Sequence, residues 1–463
     1  MIKLPGKINL QTIVLILLVF IYSYATQINL ALTLLLVILC GYLKLRKLDL
    51  KCCRLLNLSL LFLAIYAAAY FIIRQQLSIL YIPFSIVPML VTLLFGSLEV
   101  SLLITLASAV AIAASSGSPL PTMLLALTSG IVSSFLVLDA RKRSTIIRAG
   151  IFNGLLQIAV LVLIDHLWIG LPYRYLILFL NGIISSIIVL GVLPIFEYLF
   201  NTATNISLLE LADFHHPLLQ RMVQEAPGTY HHSLIVGNLS ETACRAVGAN
   251  ALLARIGAYY HDIGKLQKPE YFSENQNREI NKHGNLSPTM SKLVIMNHVK
   301  EGLELAKRYR LNPALIDFIQ QHHGNSLVYY FYRRALENIE EDEVIREEGF
   351  RYPGPKPGTK ETAIVLLADS VEAAMRTLKE PSHAKIEELV HKVINNKFID
   401  GQLDECELTL KDLEKISAVF IRLLSGIYHS RTSYPEGAQI ENNHKKPSKE
   451  GSHLSGKDKK INS

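Results

Sequence analysis

The first 200 residues break into apolar runs long enough to cross a bilayer, and nothing else in the chain constrains its fold as much. A span needs about 20 mainly apolar residues, and in hydrocarbon its backbone groups must be satisfied within the helix itself. Eight runs qualify: 8–25, 28–45, 55–73, 77–96, 98–115, 119–138, 149–168 and 175–199. Of the 463 residues 50% are hydrophobic, but that excess lies almost wholly before residue 200 and the charges mostly after it. The chain therefore reads as a helical membrane part, 1–200, followed by a soluble part large enough for one core.

The weakest division is Gly96-Ser97-Leu98-Glu99, and losing it would invert the topology. Positive charge favours keeping it. Lys44, Arg46, Lys47, Lys51 and Arg54 follow the second run, Arg141, Lys142, Arg143 and Arg148 follow the sixth, and the opposite loops hold only Arg74 and Arg174. With eight spans both basic loops, together with Lys3 and Lys7, lie inside, and the soluble half starts on the cytoplasmic face. The segment Met1-Ile2-Lys3-Leu4-Pro5-Gly6-Lys7 precedes an apolar run as a signal peptide would, but no small-residue cleavage site follows, so a retained first span is expected. Asp165, His166 and Trp168 read as an interfacial cluster, and intramembrane charge is too sparse for a transporter.

The net charge of +7 comes largely from membrane-flanking loops and the C-terminal tail, so no nucleic-acid partner is expected. Cys40, Cys52, Cys53, Cys244 and Cys406 form no C-x-x-C pattern and fit a reducing cytoplasm.

Beyond the membrane part, residues 201–228 read as linker helices, with Pro227-Gly228 ending the second of them. From Thr229 apolar residues recur at three and four, β-branched alternation is rare, and neither a Gly-rich phosphate loop nor G-x-S-x-G occurs. The whole chain is expected to be all-α. An acidic helical stretch is expected over 337–348. Phe350-Arg351-Tyr352-Pro353-Gly354-Pro355-Lys356-Pro357-Gly358 then precludes helix, and is either a plain connector or a substrate-facing lid carrying Arg351 and Lys356. The helical domain is expected over 229–435, with a disordered basic tail over 436–463.

Chemistry concentrates around Gly257-Ala258-Tyr259-Tyr260-His261-Asp262-Ile263-Gly264-Lys265. A neutral imidazole and a carboxylate side by side suit a transition metal. A surface His-Asp pair is common, so the rest of the set matters: His232 in Thr229-Tyr230-His231-His232-Ser233, then His298, His322-His323, and Asp369 in Leu366-Leu367-Ala368-Asp369-Ser370. Each sits on a separate helical stretch, and a bundle can aim side chains from several helices into one interior site. Asp369 has apolar neighbours on both sides, and a buried carboxylate needs a partner, for which a metal is suited.

This ordered pattern resembles the HD-domain metal-dependent phosphohydrolases. The strings Glu225-Ala226-Pro227-Gly228-Thr229-Tyr230-His231-His232-Ser233, Leu286-Ser287-Pro288, 350–357 and Ala368-Asp369-Ser370-Val371-Glu372-Ala373 resemble, more narrowly, the seven-transmembrane HD family. Those are bacterial membrane phosphodiesterases that hydrolyse cyclic di-AMP to pApA. The resemblance implies two divalent or mixed-valence transition metal ions, Fe or Mn. Asp262 would bridge them, with His232, His261 and Asp369 completing one site and His298, His322 and His323 the other. The family carries a large extracellular domain after its first span, whereas here the first two runs are joined by a tight turn, which suits a count of one plus seven.

The implied mechanism is in-line attack on phosphorus by a water whose pKa two metals, about 3.5–4 Å apart, lower towards ~7. Asp262 and Lys265 are the expected catalytic residues, with Lys265, Arg351 and Lys356 contacting substrate. The expected partners are a cyclic dinucleotide and the bilayer, and a homodimer is compatible with the sequence. Cyclic di-GMP is the rival substrate, but no G-Y-P signature follows His322-His323-Gly324-Asn325-Ser326-Leu327-Val328-Tyr329-Tyr330. A membrane receptor that binds nucleotide without hydrolysing it is the rival of another class.

Overall fold

A computed structural model describes residues 52–165, 172–200, 202–276, 282–337, 345–378 and 381–428. They fold as α-helices joined by short 3₁₀ turns and loops, and the single β feature among them is an isolated bridge between Leu327 and Arg351. The all-α expectation holds. The first two apolar runs and the C-terminal tail lie outside the described residues.

Among the described residues the membrane part holds α1 (Cys52–Arg74), α2 (Ile86–Phe95), α3 (Leu98–Ala114), α4 (Pro119–Val137), α5 (Arg143–Ile164) and α6 (Pro172–Phe200). By length and composition α4, α5 and α6, of 19, 22 and 29 residues, can each cross a bilayer, and α2 and α3 are shorter, at 10 and 17 residues. The run 77–96 is not one continuous helix as expected. A 3₁₀ turn at Ile79–Tyr81 is followed by non-helical backbone, and α2 begins only after Pro83 and is 10 residues long. Proline lacks the amide hydrogen and obstructs the preceding turn, so an apolar run containing one need not be a single helix.

The division at Gly96 is present. Gly96 ends α2 in the left-handed region (φ 61°), and the Ser97 side chain accepts from Val100 N to start α3. Small residues allow close helix packing further on: a β-carbon on Gly150 or Gly182 would overlap the facing helix, as α5 and α6 approach backbone to backbone. Asp165 pairs with Arg174 at 2.8 Å, and its expected neighbours His166 and Trp168 lie outside the described residues.

Two short helices, α7 (Asn205–Leu211) and α8 (Pro217–Glu225), connect the two parts. They are held from both sides. Glu197 of α6 accepts from Thr204 N at 2.9 Å and from the Ser207 hydroxyl at 2.7 Å. Arg143 of α5 forms a two-pronged pair with Glu210 at 2.7 and 2.9 Å. From the other side, the Tyr260 hydroxyl donates to Leu211 O at 2.7 Å.

The second half comprises α9 (Pro227–Val247), α10 (Ala251–Tyr260), α11 (Pro288–Arg308), α12 (Pro313–Gln321), α13 (Tyr329–Glu337), α14 (Lys360–Met375), α15 (His383–Ile399) and α16 (Leu410–Tyr428). Pro227-Gly228 does not simply close α8. Pro227 opens α9, where its fixed φ and missing amide hydrogen suit the first helical position. Local signals set other starts: Asn250 caps Leu253 N, Ser287 caps Met290 N, and Thr359 with Thr362 forms a capping box at α14. Of the acidic stretch expected to be helical, 338–344 lie outside the described residues, and its end is a 3₁₀ turn, Glu347–Phe350.

One core joins α9, α10 and α14 to α15 and α16, through residues such as Val236, Leu367, Val390 and Phe420. Another packs α7 and α8 against α10, α11 and α12, through Leu208, Leu219, Ile256, Leu305 and Ile319. Helix α14 lies at the centre, with every residue from Thr362 to Asp369 buried. A helix apolar nearly all round must be enclosed, and so the one carboxylate in that run, Asp369, is carried into the interior.

Candidate metal centre

Five elements deliver the side chains. His232 sits in α9, and its neighbour His231 points to solvent, because successive helical residues are about 100° apart around the axis. His261 caps the end of α10, and Asp262 leads into a tight 3₁₀ turn, Ile263–Gln267. His298 is buried in α11, His322 caps α12 with His323 next to it, and Asp369 comes from α14. The turn after Asp262 approaches α11 so closely that a β-carbon on Gly264 would overlap the carbonyl oxygen of His298. Only glycine fits there.

The side chains form two groups that share Asp262: His232, His261, Asp262 and Asp369, and Asp262, His298, His322 and His323. Within each group one candidate ligand atom per residue lies within 4.8 Å of the others. Asp262 Oδ2 faces the first group, 3.1 Å from His261 Nε2 and 3.5 Å from His232 Nε2. Asp262 Oδ1 faces the second, 3.3 Å from His298 Nε2 and 3.6 Å from His322 Nε2. Asp369 closes the first group at 3.0 Å from His232 Nε2, and its other oxygen lies 3.5 Å from His323 Nδ1.

The residues fit metal ions. His232 Nε2, His261 Nε2 and Asp262 Oδ1 are buried without a hydrogen-bond partner. Leaving such groups unsatisfied costs about 1–3 kcal/mol each. The opposite ring nitrogens are held from outside: Nδ1 of His232 by Glu372, of His261 by Ala258 O, of His298 by Ile295 O, and of His322 by Phe318 O and Ile319 O. A proton fixed on Nδ1 leaves the Nε2 lone pair aimed inward, the tautomer a metal takes. His298 Nε2 and His322 Nε2 lie only 3.1 Å apart, two such nitrogens converging on one point.

Electrostatics agree. Burial alone would neutralise Asp262, but His261 and Lys265 beside it hold its carboxyl well below the usual carboxylate range. Burial also opposes ionisation of Asp369, and the imidazoles of His232 and His261 facing it reverse this. Burial pushes His298 down to about 4 and His323 well below its ordinary value, so both are neutral donors. Burial disfavours charge on His261 as well, but Asp262 and Asp369 outweigh it and push it up to about 10, so a cation entering there displaces a proton.

A further layer of side chains locks the site. Lys265 Nζ lies 2.7 Å from both Asp262 Oδ2 and Glu274 Oε1. Glu372, one turn beyond Asp369, holds His232 on one oxygen and Arg376 on the other at 2.8 Å. Glu274 also accepts from the Thr229 hydroxyl at 3.2 Å. Tyr352 stacks on His323, with ring centroids 4.3 Å apart. Of these, Glu274, Glu372, Arg376 and Tyr352 were not expected at the site. Glu372 carried a signal, its i+3 spacing from Asp369 on one helix face.

The two loop cations expected at the substrate are not brought to the ligand groups. Arg351 is paired with Glu347 at 2.6 Å and Asp400 at 2.8 Å and also donates to Asn325 O at 3.0 Å. Lys356 is paired with Asp404 at 3.1 Å. Their segment is non-helical, as expected, and Arg351 clamps the loop after His323.

A helical domain in which a His, a His-Asp pair and a distal Asp converge on one buried site is an HD domain, and here it follows a bundle of apolar membrane helices. Two family models match, one described as a 7TM receptor with intracellular HD hydrolase over residues 21–204, the other as an HD domain over residues 229–374. The chain belongs to this seven-transmembrane HD family, and it is a membrane protein. The cyclic-di-AMP phosphodiesterase PgpH of Bacillus subtilis (strain 168) is 45% identical over 319 residues, which is 68% of this chain and 44% of that protein. Its namesake in Listeria monocytogenes is 42% identical over 316 residues, 67% of this chain and 44% of that protein. The chain thus spans less than half the length of these relatives. Among solved structures, the HD domain of L. monocytogenes PgpH in complex with cyclic-di-AMP is 45% identical, with a TM-score of 0.45 and coverage of 47% of this chain and 100% of that one.

Proposed function

We propose that the chain is a membrane-anchored phosphodiesterase that hydrolyses cyclic di-AMP to pApA, with residues 229–435 forming the HD domain, residues 201–228 linking it to the membrane part, and the HD domain on the cytoplasmic face. The observation that carries this reading is Asp262, whose two oxygens face two separate sets of imidazoles. A one-metal site has no use for that arrangement. The names of the relatives at 45% and 42% identity support the choice of substrate.

His232, His261, Asp262 and Asp369 would hold one ion, and Asp262, His298, His322 and His323 the other. Five imidazoles with two carboxylates suit Fe or Mn better than Mg. Such a pair supplies a water ionised near neutral pH and stabilises the charge of the phosphoryl oxygens. The remaining work belongs to the protein. Glu372 keeps the His232 proton on Nδ1 and its Nε2 free. Lys265 holds Asp262 Oδ2, and Glu274 balances the lysine's charge. His323, the most exposed of the candidate ligands at 22%, marks the side open to a substrate. Hydrolysis adds water across one P–O3′ bond, leaving a 5′-phosphate and a free 3′-hydroxyl.

The test is to reconstitute the full chain with Mn²⁺ or Fe²⁺ and to present cyclic di-AMP and cyclic di-GMP separately. Conversion of cyclic di-AMP to pApA in strong preference to the guanine compound is expected. Tight binding of cyclic di-AMP with no turnover under either metal would refute the reading.

A further inference from the structure

Charged groups around the site are paired almost throughout. Lys265 lies between Asp262 and Glu274, Arg376 is held by Glu372, Arg351 by Glu347 and Asp400, and Lys356 by Asp404. Lys397 is different. It reaches in from α15, the helix packed beside α14, and its Nζ lies 2.7 Å from the Ser326 hydroxyl. No carboxylate among the described residues lies close enough to pair with it. Ser326 belongs to the loop after the paired histidines, and its amide donates to His323 O at 3.1 Å. The Lys397 ammonium is therefore tied to the loop that follows His323, within electrostatic reach of Asp369 and of Asp400. Burial pulls its pKa below the ordinary lysine value, which is what an ammonium lacking a close counter-charge shows.

A cation drawn partly out of water is costly unless something balances it. The candidate ligands here carry two carboxylates, and two metal ions would cancel that negative charge and leave Lys397 still without a partner. An anion delivered to the open edge would supply one. We propose that Lys397 is a substrate contact, its ammonium leaving Ser326 Oγ to bind a non-bridging oxygen of the phosphodiester held at the metal centre. This rests on the phosphodiesterase reading for the identity of the ester, but the need for a phosphate oxygen at Lys397 can be tested without it. The sequence alone gave no hint of the residue, since Val393-Ile394-Asn395-Asn396-Lys397 is an ordinary helical string ending in an apparently exposed lysine.

The experiment compares the full chain, loaded with Mn²⁺, with its Lys397→Met, Lys397→Arg and Ser326→Ala variants. Four quantities are read: KM for cyclic di-AMP, inorganic phosphate affinity by calorimetry, metal content, and Tm. A charge-assisted hydrogen bond lost on Lys397→Met should raise KM and weaken phosphate binding by about tenfold or more. Metal content and Tm should stay unchanged, and Lys397→Arg should recover part of the affinity. Ser326→Ala should bind phosphate at least as well as the parent chain. If instead Lys397→Met binds phosphate normally, or if Ser326→Ala reproduces its defect together with a lowered Tm, the lysine only clamps the loop and the proposal is overturned. Should the parent chain leave cyclic di-AMP intact, the phosphodiesterase reading fails, and phosphate affinity alone still decides the role of Lys397.

Discussion

The Lys265 ammonium lies 2.7 Å from Asp262 Oδ2, so the carboxylate facing both imidazole sets is itself pinned by a lysine three residues further along the same tight turn. The ammonium also contacts Glu274 at 2.7 Å, and its charge is therefore matched from two sides. This geometry suits Lys265 to positioning Asp262, whereas the sequence pattern points to a direct phosphate contact.

Replacing Asp262 by Asn should deplete both ions, because one side chain serves both groups. Metal analysis should fall from about two ions per chain to well under one, and hydrolysis by about a hundredfold or more. A variant that retained both ions and full turnover would exclude the shared-ligand scheme.

Glu372→Gln removes the negative charge that fixes the His232 proton on Nδ1. Metal affinity should weaken about 10–100-fold while the helices remain folded. Competition with a fluorescent chelator measures the first effect, and circular dichroism the second.

Glu274 provides a pH signature. Burial would raise its pKa, but Lys265 overrides this and lowers it from 4.5 to about 2. A depressed carboxylate contributes stability fully above the unfolded value and loses it as pH falls through the folded one. The contribution, on the order of a few kcal/mol, should therefore fade between pH 4.5 and 2. In acid melts, Glu274→Gln should be less stable than the parent chain at pH 6, and the two Tm values should converge as the pH approaches 2. A constant gap would contradict the assignment.

Gly264→Ala places a β-carbon on the carbonyl oxygen of His298, and relief requires moving backbone. A loss of about 1–3 kcal/mol is expected, with displacement of His298 and weaker binding in its group. Gly358→Ala meets nothing within 4 Å and serves as the control, with Tm unchanged.

The candidate ligands could be read from the sequence through their ordered His, His-Asp, His, His-His, Asp pattern, and one of them also through its setting in an apolar helix, where a lone polar side chain needs a reason. Asp369 between Ala368 and Ser370 is that case, and it lies where the central helix is buried. Of the adjacent pair, His232 is buried and His231 exposed, which agrees with His232 as the member of the pattern. The surrounding layer was not legible in this way. Glu274 and Lys397 lie in polar surroundings in the chain, and only the fold turns them inward. Among the spans, hydropathy found the long helices but read through the interruption before α2. An apolar average does not register Pro83, and that residue marks the break.

Tyr260 takes its hydrogen-bond acceptor from Leu211, outside the catalytic helices, and Tyr260 directly precedes His261. The border drawn by function is therefore not the border drawn by packing. A soluble fragment cut at Thr229 would strip the Tyr260 hydroxyl of its acceptor and expose Ile256, Tyr259 and Leu266, which pack in the core shared with α7 and α8. Cutting ahead of Asn205 keeps those neighbours. The smallest piece that preserves the metal centre in its native surroundings thus includes the two short helices that join it to the membrane.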